Sequence, residues 1–272
     1  MPDLLIHSLS EFQPLIFEVL EATQPEKIAE VGTERGVFAK LLGEWAAPRG
    51  GAVYPIDPAP PEDCRALLAT QENCHLVERT SLDAIPDLDD IDCWFIDGDH
   101  NWYTVFHELT AIAAQCKKSG KPMLTFLHDV CWPWGQRDLY YAPDSIPPQY
   151  RHAYTYDYGV TLGNVGVING GFRGCGAFAV ATHEGGPRNG VLTAVADFVA
   201  TQENPPYFCI VPAVMGLGIL FSRTAAWTDA VHRILSPYHM NPLVAKLEEN
   251  RLRNYLKVIE LQDEANGAVR SS

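Results

Sequence analysis

Two clusters of ionisable residues, about thirty positions apart, are the part of this sequence that could do chemistry. Each cluster directly follows a short apolar run, and their members are Asp97, Asp99, His100, His128 and Asp129. Carboxylates and imidazoles accept protons and bind cations near neutral pH. Because the carboxyl ends of parallel strands meet at one edge of a sheet, we expect the two clusters to share a pocket. Solvated loop acids are the alternative, but two clusters in the same register favour a functional site.

The apolar runs before these clusters have the length and composition of buried parallel strands. The chain up to residue 127 alternates such strands with amphipathic segments. The predicted strands span residues 27–31, 52–56, 75–77, 92–97 and 123–127, and the predicted helices span residues 8–24, 38–45, 61–71 and 101–118. Ser8 or Ser10 could cap the first helix. This alternation predicts an α/β fold with a doubly wound, mostly parallel sheet, whose right-handed crossovers bring the strand ends to one edge.

A turn that contains two glycines is the second notable feature, and it points to a cofactor. The turn Gly32-Thr33-Glu34-Arg35-Gly36 follows the first strand and leads into a helix. Glycines let the backbone approach a ligand, and the helix N-terminus faces that ligand. Many strand-to-helix turns, however, need glycine only for their geometry. Asp57 ends the second strand, where it could accept hydrogen bonds from ribose hydroxyls. Ser81 follows the third strand, where an adenine ring would lie if the loop holds the rest of a nucleoside.

Residues 130–190 interrupt the alternation with a long stretch rich in aromatic residues and glycine. Long loops in compact domains are usually lids or disordered segments, and the aromatic residues favour a lid that packs on a substrate. An ordinary packed subdomain is an equal alternative. A predicted helix over 190–200 and two apolar strands, 207–211 and 217–222, follow. Their short connection predicts an antiparallel hairpin.

The sequence therefore predicts two parts. Residues 1–225 form the cofactor-binding domain with a lid insertion at about 130–190, and residues 226–272 form a C-terminal helical extension. The charged helix predicted over 242–264 carries leucines that could pack on its own domain or on a second subunit. If the helix packs on a second subunit, the protein forms a homodimer.

Composition excludes several classes of protein. The net charge is −14, which argues against a nucleic-acid partner because no basic cluster is present to replace phosphate counterions. The seven cysteines include no CxxC pair, so reduced thiols are expected. The first residues lack the pattern of a signal peptide, and no apolar run approaches the roughly 18 residues of a membrane span. These features predict a cytoplasmic protein without membrane contact.

The sequence resembles the class I S-adenosylmethionine-dependent methyltransferases. The resemblance lies in the loop from Glu30 to Gly36, in Asp57, in Asp97 after the fourth strand and in the terminal hairpin, and it covers about residues 20–225. Asp97-Gly98-Asp99-His100 together with Leu127-His128-Asp129 is similar to a branch that methylates hydroxyls of sugars and natural products. The resemblance implies a Rossmann-like methyltransferase sheet, S-adenosylmethionine as cofactor, and a small-molecule acceptor of that class.

The resemblance also implies roles for single residues. The residues expected at the cofactor are Glu30, Gly32, Thr33, Gly36, Asp57, Ser81 and Asp97. Asp99, His100 and His128 are the candidates for the base that takes the acceptor proton. Asp99 is preferred, since the residue at this offset has that role in the sugar methyltransferases.

Metal use follows less directly from the resemblance. Several members of the branch bind Mg²⁺ through an acid that ends the fourth strand and an acidic pair that ends the fifth. Asp97 and Asp129 match this pattern, but His128 stands where the pair has its first acid. Since Mg²⁺ prefers oxygen ligands, the candidates Asp97, His128 and Asp129 leave open Mg²⁺, another divalent cation, or none.

Two functions of other classes remain as alternatives. An NAD-dependent oxidoreductase would usually carry G-x-G-x-x-G, and Glu34 stands at the second glycine position here. A non-catalytic cofactor-binding module that serves another enzyme would not need the ionisable clusters at both strand ends. S-adenosylhomocysteine binding and a methyl-transfer assay would separate these alternatives from a methyltransferase.

Overall fold

A six-stranded sheet with helices on both faces forms the centre of the protein, as a computed structural model shows for residues 8–270. Residues 1–7, over which no signal peptide is predicted, and residues 271–272 lie outside the described residues. The strands are β1 Lys27–Val31, β2 Ala52–Ile56, β3 Cys93–Ile96, β4 Leu124–Leu127, β5 Leu139–Tyr140, β6 Tyr154–Thr155, β7 Ala179–Ala181, β8 Tyr207–Val211 and β9 Leu217–Phe221. The helices are α1 Gln13–Thr23, α2 Val37–Ala46, α3 Glu62–Leu68, α4 Ser81–Ala84, α5 Trp102–Ser119, α6 Val191–Thr201, α7 Thr228–Leu235 and α8 Pro242–Arg270.

The order of the main sheet confirms the predicted fold class. Its strands lie in the order β2-β1-β3-β4-β9-β8, and the first four are parallel. Strand β9 pairs antiparallel with β4 and with β8, which is the predicted C-terminal hairpin. All residues of β3 and β4 are buried, because helices cover the sheet on both sides. Helices α1, α2 and α7 pack on one face, and α5 and α6 pack on the other.

Some element boundaries differ from the sequence prediction. The predicted strand over 75–77 is reduced to two isolated bridges, Val53–Cys74 and Ile56–Val77. The predicted helix over 8–24 begins as a 3₁₀ turn, Leu9–Phe12, capped by the Ser8 hydroxyl, before α1. The sequence analysis also missed α7, and α8 extends beyond the predicted 242–264.

The segment 130–190 forms a small antiparallel sheet of its own, in the order β5-β7-β6. Asp138 anchors this sheet to the main domain: its Oδ1 accepts hydrogen bonds from the backbone N–H groups of Trp102 and Gly190, each at 2.7 Å. Its Oδ2 accepts a hydrogen bond from the hydroxyl of Tyr140 at 2.8 Å. The segment is therefore packed against the start of α5. Its role as a substrate lid and the division at residue 225 stay predictions.

Candidate active site

The glycine turn after β1 packs directly against the end of β3. Gly32 has a left-handed φ of +85°, and a Cβ atom at this position would lie 2.3 Å from the carbonyl oxygen of Asp97. Only glycine fits there without a shift of the backbone. The N–H of Gly36 donates to the Thr33 carbonyl at 2.7 Å and closes the turn ahead of α2. The turn thus places backbone N–H groups and the N-terminus of α2 beside the acidic strand ends.

Glu30 and Asp57 lie on either side of this turn. Glu30 is buried in β1, and its Oε2 atom makes no hydrogen bond within the described residues. Burial raises its pKa well above the usual value, and the negative charges of Asp97 and Asp57 add to this. Asp57 Oδ2 accepts a hydrogen bond from the N–H of Thr33 at 3.3 Å. The hydroxyl of Thr33 is buried without a hydrogen-bond partner in the described part of the chain. These atoms require donors and acceptors that a bound polar ligand would supply.

His128 connects the ends of β3 and β4. The register pairs Ile96 with Leu127, so Asp97 and His128 lie side by side. The His128 ring places Nδ1 3.1 Å from Asp97 Oδ1 and 3.5 Å from Asp129 Oδ2, and Nε2 2.8 Å from the Val214 carbonyl oxygen. Burial alone would lower its pKa, but Asp129, Asp97 and these hydrogen bonds raise the pKa of His128 to about 9. The ring is therefore protonated at neutral pH and donates from both nitrogens.

Asp97, His100 and Asp129 form a second group at the same edge. One ligand-type atom from each lies within 4.8 Å of those of the other two. His100 Nδ1 is 3.3 Å from Asp129 Oδ2, an arrangement in which a carboxylate orients an imidazole. Asp129 holds this position with a left-handed φ of +61°. The structure places His100 in this group, whereas the sequence analysis had named His128 beside Asp97 and Asp129 as the metal ligand.

Asp99 points toward the first turn of α5. Its Oδ2 accepts a hydrogen bond from the hydroxyl of Thr104 at 2.9 Å. Burial raises the pKa of Asp99, although the hydrogen bond from Thr104 and the proximity of His100 act in the opposite direction. Asp99 is thus near the group formed by Asp97, His100 and Asp129 but is not one of its three members. Its predicted role as the base stays a prediction.

Ser81 begins α4 and contacts a residue that the sequence analysis missed. Its hydroxyl donates a hydrogen bond to Oε1 of Glu108 at 2.5 Å. Glu108 is fully buried in α5, and burial together with the charge of Asp99 raises its pKa to about 8. The spacing of the buried residues Val105, Leu109 and Ile112 could have revealed it, because position 108 lies on the same helix face.

Tyr141 is the other site residue that the sequence analysis did not identify. Its ring centroid lies 6.0 Å from that of His100, with the rings inclined at 57°. Burial of its hydroxyl and the charges of Asp129 and Asp97 raise the pKa of Tyr141. The side chain as a whole is still 54% exposed. It therefore lies at the mouth of the site, where only the tertiary fold of segment 130–190 brings it.

Comparison with known proteins gives one match in sequence and several in structure. Residues 29–130 match the model of a family described as a methyltransferase domain. No curated protein sequence matches the chain. Similar solved structures include a methyltransferase of Podospora anserina bound to S-adenosylhomocysteine, with 15% identity, 80% of each chain covered and a TM-score of 0.49. Another is the O-methyltransferase TomG of Streptomyces achromogenes, with 15% identity, 82% of this chain and 84% of that chain covered, and a TM-score of 0.49. At this identity the two structures carry no information on the acceptor.

No helix in the described range 8–270 is both long enough and apolar enough to cross a membrane.

Proposed function

We propose that the protein is a class I S-adenosylmethionine-dependent methyltransferase and that it methylates a hydroxyl of a small molecule, a sugar or another natural product. The observation that carries this proposal is the position of Asp97, His100 and Asp129 beside the glycine turn. A proton acceptor next to the methyl donor is what transfer to a hydroxyl requires.

The residues around the turn fit S-adenosylmethionine. Glu30 offers a buried oxygen that has no hydrogen-bond partner among residues 8–270, and this oxygen would accept a hydrogen bond from the amino group of the cofactor's amino-acid part. Gly32, Thr33 and Gly36 would let the ligand approach the backbone, and Asp57 would accept hydrogen bonds from the ribose hydroxyls. When bound, the cofactor supplies a methyl group activated by the neighbouring sulfonium.

We assign the proton acceptor to His100. In the proposed reaction the acceptor oxygen attacks the methyl carbon, the bond from that carbon to sulfur breaks, and the hydroxyl proton moves to His100 Nε2. The contact of 3.3 Å between His100 Nδ1 and Asp129 Oδ2 supports this assignment, because a carboxylate on Nδ1 leaves Nε2 as the basic atom. Asp129 would then stabilise the imidazolium that forms.

The other two candidates are less well placed for this role. Asp99, preferred on sequence grounds, directs Oδ2 to the hydroxyl of Thr104. His128 uses both ring nitrogens in hydrogen bonds to Asp97 and the Val214 carbonyl, so it has no free basic atom. We infer that His128 holds Asp97 in place and offsets part of the negative charge at the strand ends.

A metal-assisted route is the second candidate, and the group Asp97, His100 and Asp129 favours it. Two carboxylates and one imidazole suit a divalent cation such as Mn²⁺, Fe²⁺ or Zn²⁺ better than Mg²⁺. A cation held there would lower the pKa of an acceptor hydroxyl. In that case His100 would be a ligand, and Asp99 would be the remaining base.

The acceptor class is inferred from the surroundings of His100. Tyr141 presents an aromatic ring at the mouth of the site, and rings of this kind pack on sugars as well as on flat aromatic compounds. The acids at the strand ends would accept hydrogen bonds from further hydroxyls of such an acceptor.

Binding and turnover test this function in two steps. Calorimetry with S-adenosylhomocysteine should show binding, whereas NADH should give none. Methyl transfer from labelled S-adenosylmethionine is then measured on a panel of sugar and polyketide hydroxyls. Absence of S-adenosylhomocysteine binding would contradict the proposal.

Three variants identify the base once an acceptor is found. For His100→Gln we expect a loss of about a hundredfold or more in kcat with unchanged S-adenosylhomocysteine affinity. His232→Gln, on the distant helix α7, is the matched control and should keep full turnover. If Asp99→Asn loses turnover while His100→Gln keeps it, the assignment to His100 is wrong.

A further inference from the structure

The turn over residues 212–216, which joins β8 to β9, has a strained backbone. Val214 and Met215 have left-handed φ angles of +45° and +64°. Such angles are uncommon outside glycine, and for a β-branched residue such as Val214 they are a clear outlier. A backbone of this kind persists only where the surrounding structure holds it in place. The 212–216 turn therefore depends on the groups that bond to it.

This turn supports the backbone and the imidazole at the end of β4. The Val214 carbonyl oxygen accepts a hydrogen bond from His128 Nε2 at 2.8 Å, and a carbonyl can only accept, so the direction of this bond is fixed. The Met215 carbonyl oxygen accepts a hydrogen bond from the N–H of Cys131, also at 2.8 Å. His128 and Cys131 lie on either side of Asp129 in the chain. Displacement of the turn would therefore move the His128 ring and the backbone that carries Asp129.

Helix α8 supplies a buried carboxylate that holds the turn. Glu248 is 8% exposed, and its Oε1 accepts a hydrogen bond from the N–H of Met215 at 2.9 Å. The Arg251 guanidinium donates to both oxygens of Glu248, at 2.6 and 2.7 Å. Burial raises the pKa of Glu248, but the hydrogen bonds from Arg251 and Met215 outweigh burial and leave the pKa below its usual value. Glu248 is thus ionised and can only accept.

Attachment of α8 to the rest of the protein does not explain this buried charge. The Tyr255 ring of α8 packs on the ring of Phe172, with their centroids 5.9 Å apart. Asp263 of α8 accepts a hydrogen bond from the guanidinium of Arg173 at 2.9 Å. These contacts attach the helix to segment 130–190 without the turn. Since burial of a carboxylate is costly, the contact of Glu248 with the strained turn indicates a more specific role.

We propose that Glu248 is a positioning residue of the active site, which fixes the 212–216 turn and through it His128 and the backbone of Asp129, next to His100. Helix α8 is then part of the support of the site, and not only an extension of the domain. This inference rests on the proposed function, in which His100 and Asp129 move the proton. Glu248 acts through the turn and not by contact with the reactants.

The ring N–H at His128 Nε2 gives a direct measure of this positioning. Its exchange with solvent is slow while the ring is buried and bonded to Val214, and NMR on protein with isotope-labelled histidine follows it, with His128→Gln to identify the signal. In Glu248→Met, compared with wild type at one fixed pH, we expect exchange to accelerate by about tenfold or more. In Glu248→Gln the amide oxygen can still accept from Met215, so exchange should stay within about threefold of the wild-type rate.

Turnover shows whether the same contact matters for the reaction. With an acceptor from the panel, kcat of Glu248→Met should fall by about tenfold or more, while the affinity for S-adenosylhomocysteine stays within about twofold. Glu249→Met is the matched control, because the neighbouring carboxylate pairs only within α8 through the hydrogen bonds shown, from Lys246 and Arg253. This control should keep the wild-type exchange rate and the wild-type kcat.

The outcomes separate this inference from the function on which it rests. Wild-type exchange in Glu248→Met overturns the inference, and so does faster exchange with unchanged kcat. An equal effect in Glu249→Met also overturns it, since the cause would then be general loosening of α8. A wild-type protein that binds no S-adenosylhomocysteine overturns the proposed function, and the exchange comparison still decides whether Glu248 fixes His128. Should Glu248→Met fail to fold, Glu248→Asp decides: it keeps a charge beside Arg251 but is too short to reach the turn, so exchange should again accelerate.

Discussion

Replacement of Glu108 by glutamine should stabilise the protein at alkaline pH relative to acidic pH. Burial, aided by Asp99, raises the pKa of Glu108 from 4.5 to about 8, so the folded state retains a proton that the unfolded chain releases. The stability that this group contributes is fully present below about pH 4.5 and is lost as the pH rises toward 8. Each pKa unit corresponds to about 1.4 kcal/mol. Between about pH 5.5 and pH 8, Glu108 should therefore lower the free energy of unfolding by roughly 3 kcal/mol.

Urea unfolding at these two pH values measures the effect. Glutamine has nearly the same shape but no titrating proton, so Glu108→Gln lacks this pH dependence. The difference in unfolding free energy between variant and wild type should shift in favour of the variant by roughly 3 kcal/mol from the lower to the higher pH. Other titrating groups cancel in this difference. Gln115→Met, which also alters the buried face of α5, should change the free energy of unfolding by the same amount at both pH values. A constant difference for Glu108→Gln would refute the reasoning, because Glu108 would then titrate alike in both states.

Three further predictions concern the cofactor turn, the metal and the assembly. Gly32→Ala places a Cβ atom 2.3 Å from the Asp97 carbonyl oxygen and should weaken S-adenosylhomocysteine binding by at least a hundredfold, as calorimetry would show. Gly50→Ala has a similar φ of +71° with open space around it, and should cost only about 1 kcal/mol of stability with binding unchanged. Full turnover after exhaustive chelation would support the metal-free route, whereas loss that Mn²⁺ or Zn²⁺ restores would support the cation at Asp97. Leu243 and Leu247 are 67% and 60% exposed on α8. A dimer formed through this helix should therefore dissociate when both leucines are replaced by glutamate, as light scattering would detect. A monomeric wild-type protein would contradict the dimer.

The strands and the site around Asp97 followed from the sequence for a simple reason. Buried parallel strands are short continuous apolar runs, and the polar residues that end them must meet at one edge of the sheet. The predicted strand over 75–77 is found only as two isolated bridges, although His75 and Val77 still donate backbone hydrogen bonds to β2. Tyr141 could not be found in this way. Its position depends on the packing of segment 130–190, which no periodicity encodes.

The sequence also could not show how Asp99 and His100 differ as candidates for the proposed base, since both follow β3 within four residues of its end. Their directions are set by partners distant in the chain or on the next element. Asp129, after β4, faces His100, whereas Thr104, in α5, donates a hydrogen bond to Asp99. Offset from a strand end indicates which residues reach a site, and tertiary partners decide which atoms face the reactants.

In the proposed function, the contact between Gly32 and Asp97 would couple the turn that holds the cofactor to the group that accepts the proton. The turn that would hold the cofactor rests on the backbone of Asp97, whose side chain bonds His128 and lies in the group with His100 and Asp129. A shift of this backbone by a fraction of an ångström would therefore move a bound cofactor and the proposed proton acceptor, His100, together. In-line transfer depends on the separation of the reacting atoms, and a common backbone support keeps that separation constant. The buried, protonated His128 strengthens this support, because its hydrogen bonds to Asp97 and to the Val214 carbonyl join β3, β4 and the β8–β9 connection at the carboxyl edge of the parallel strands.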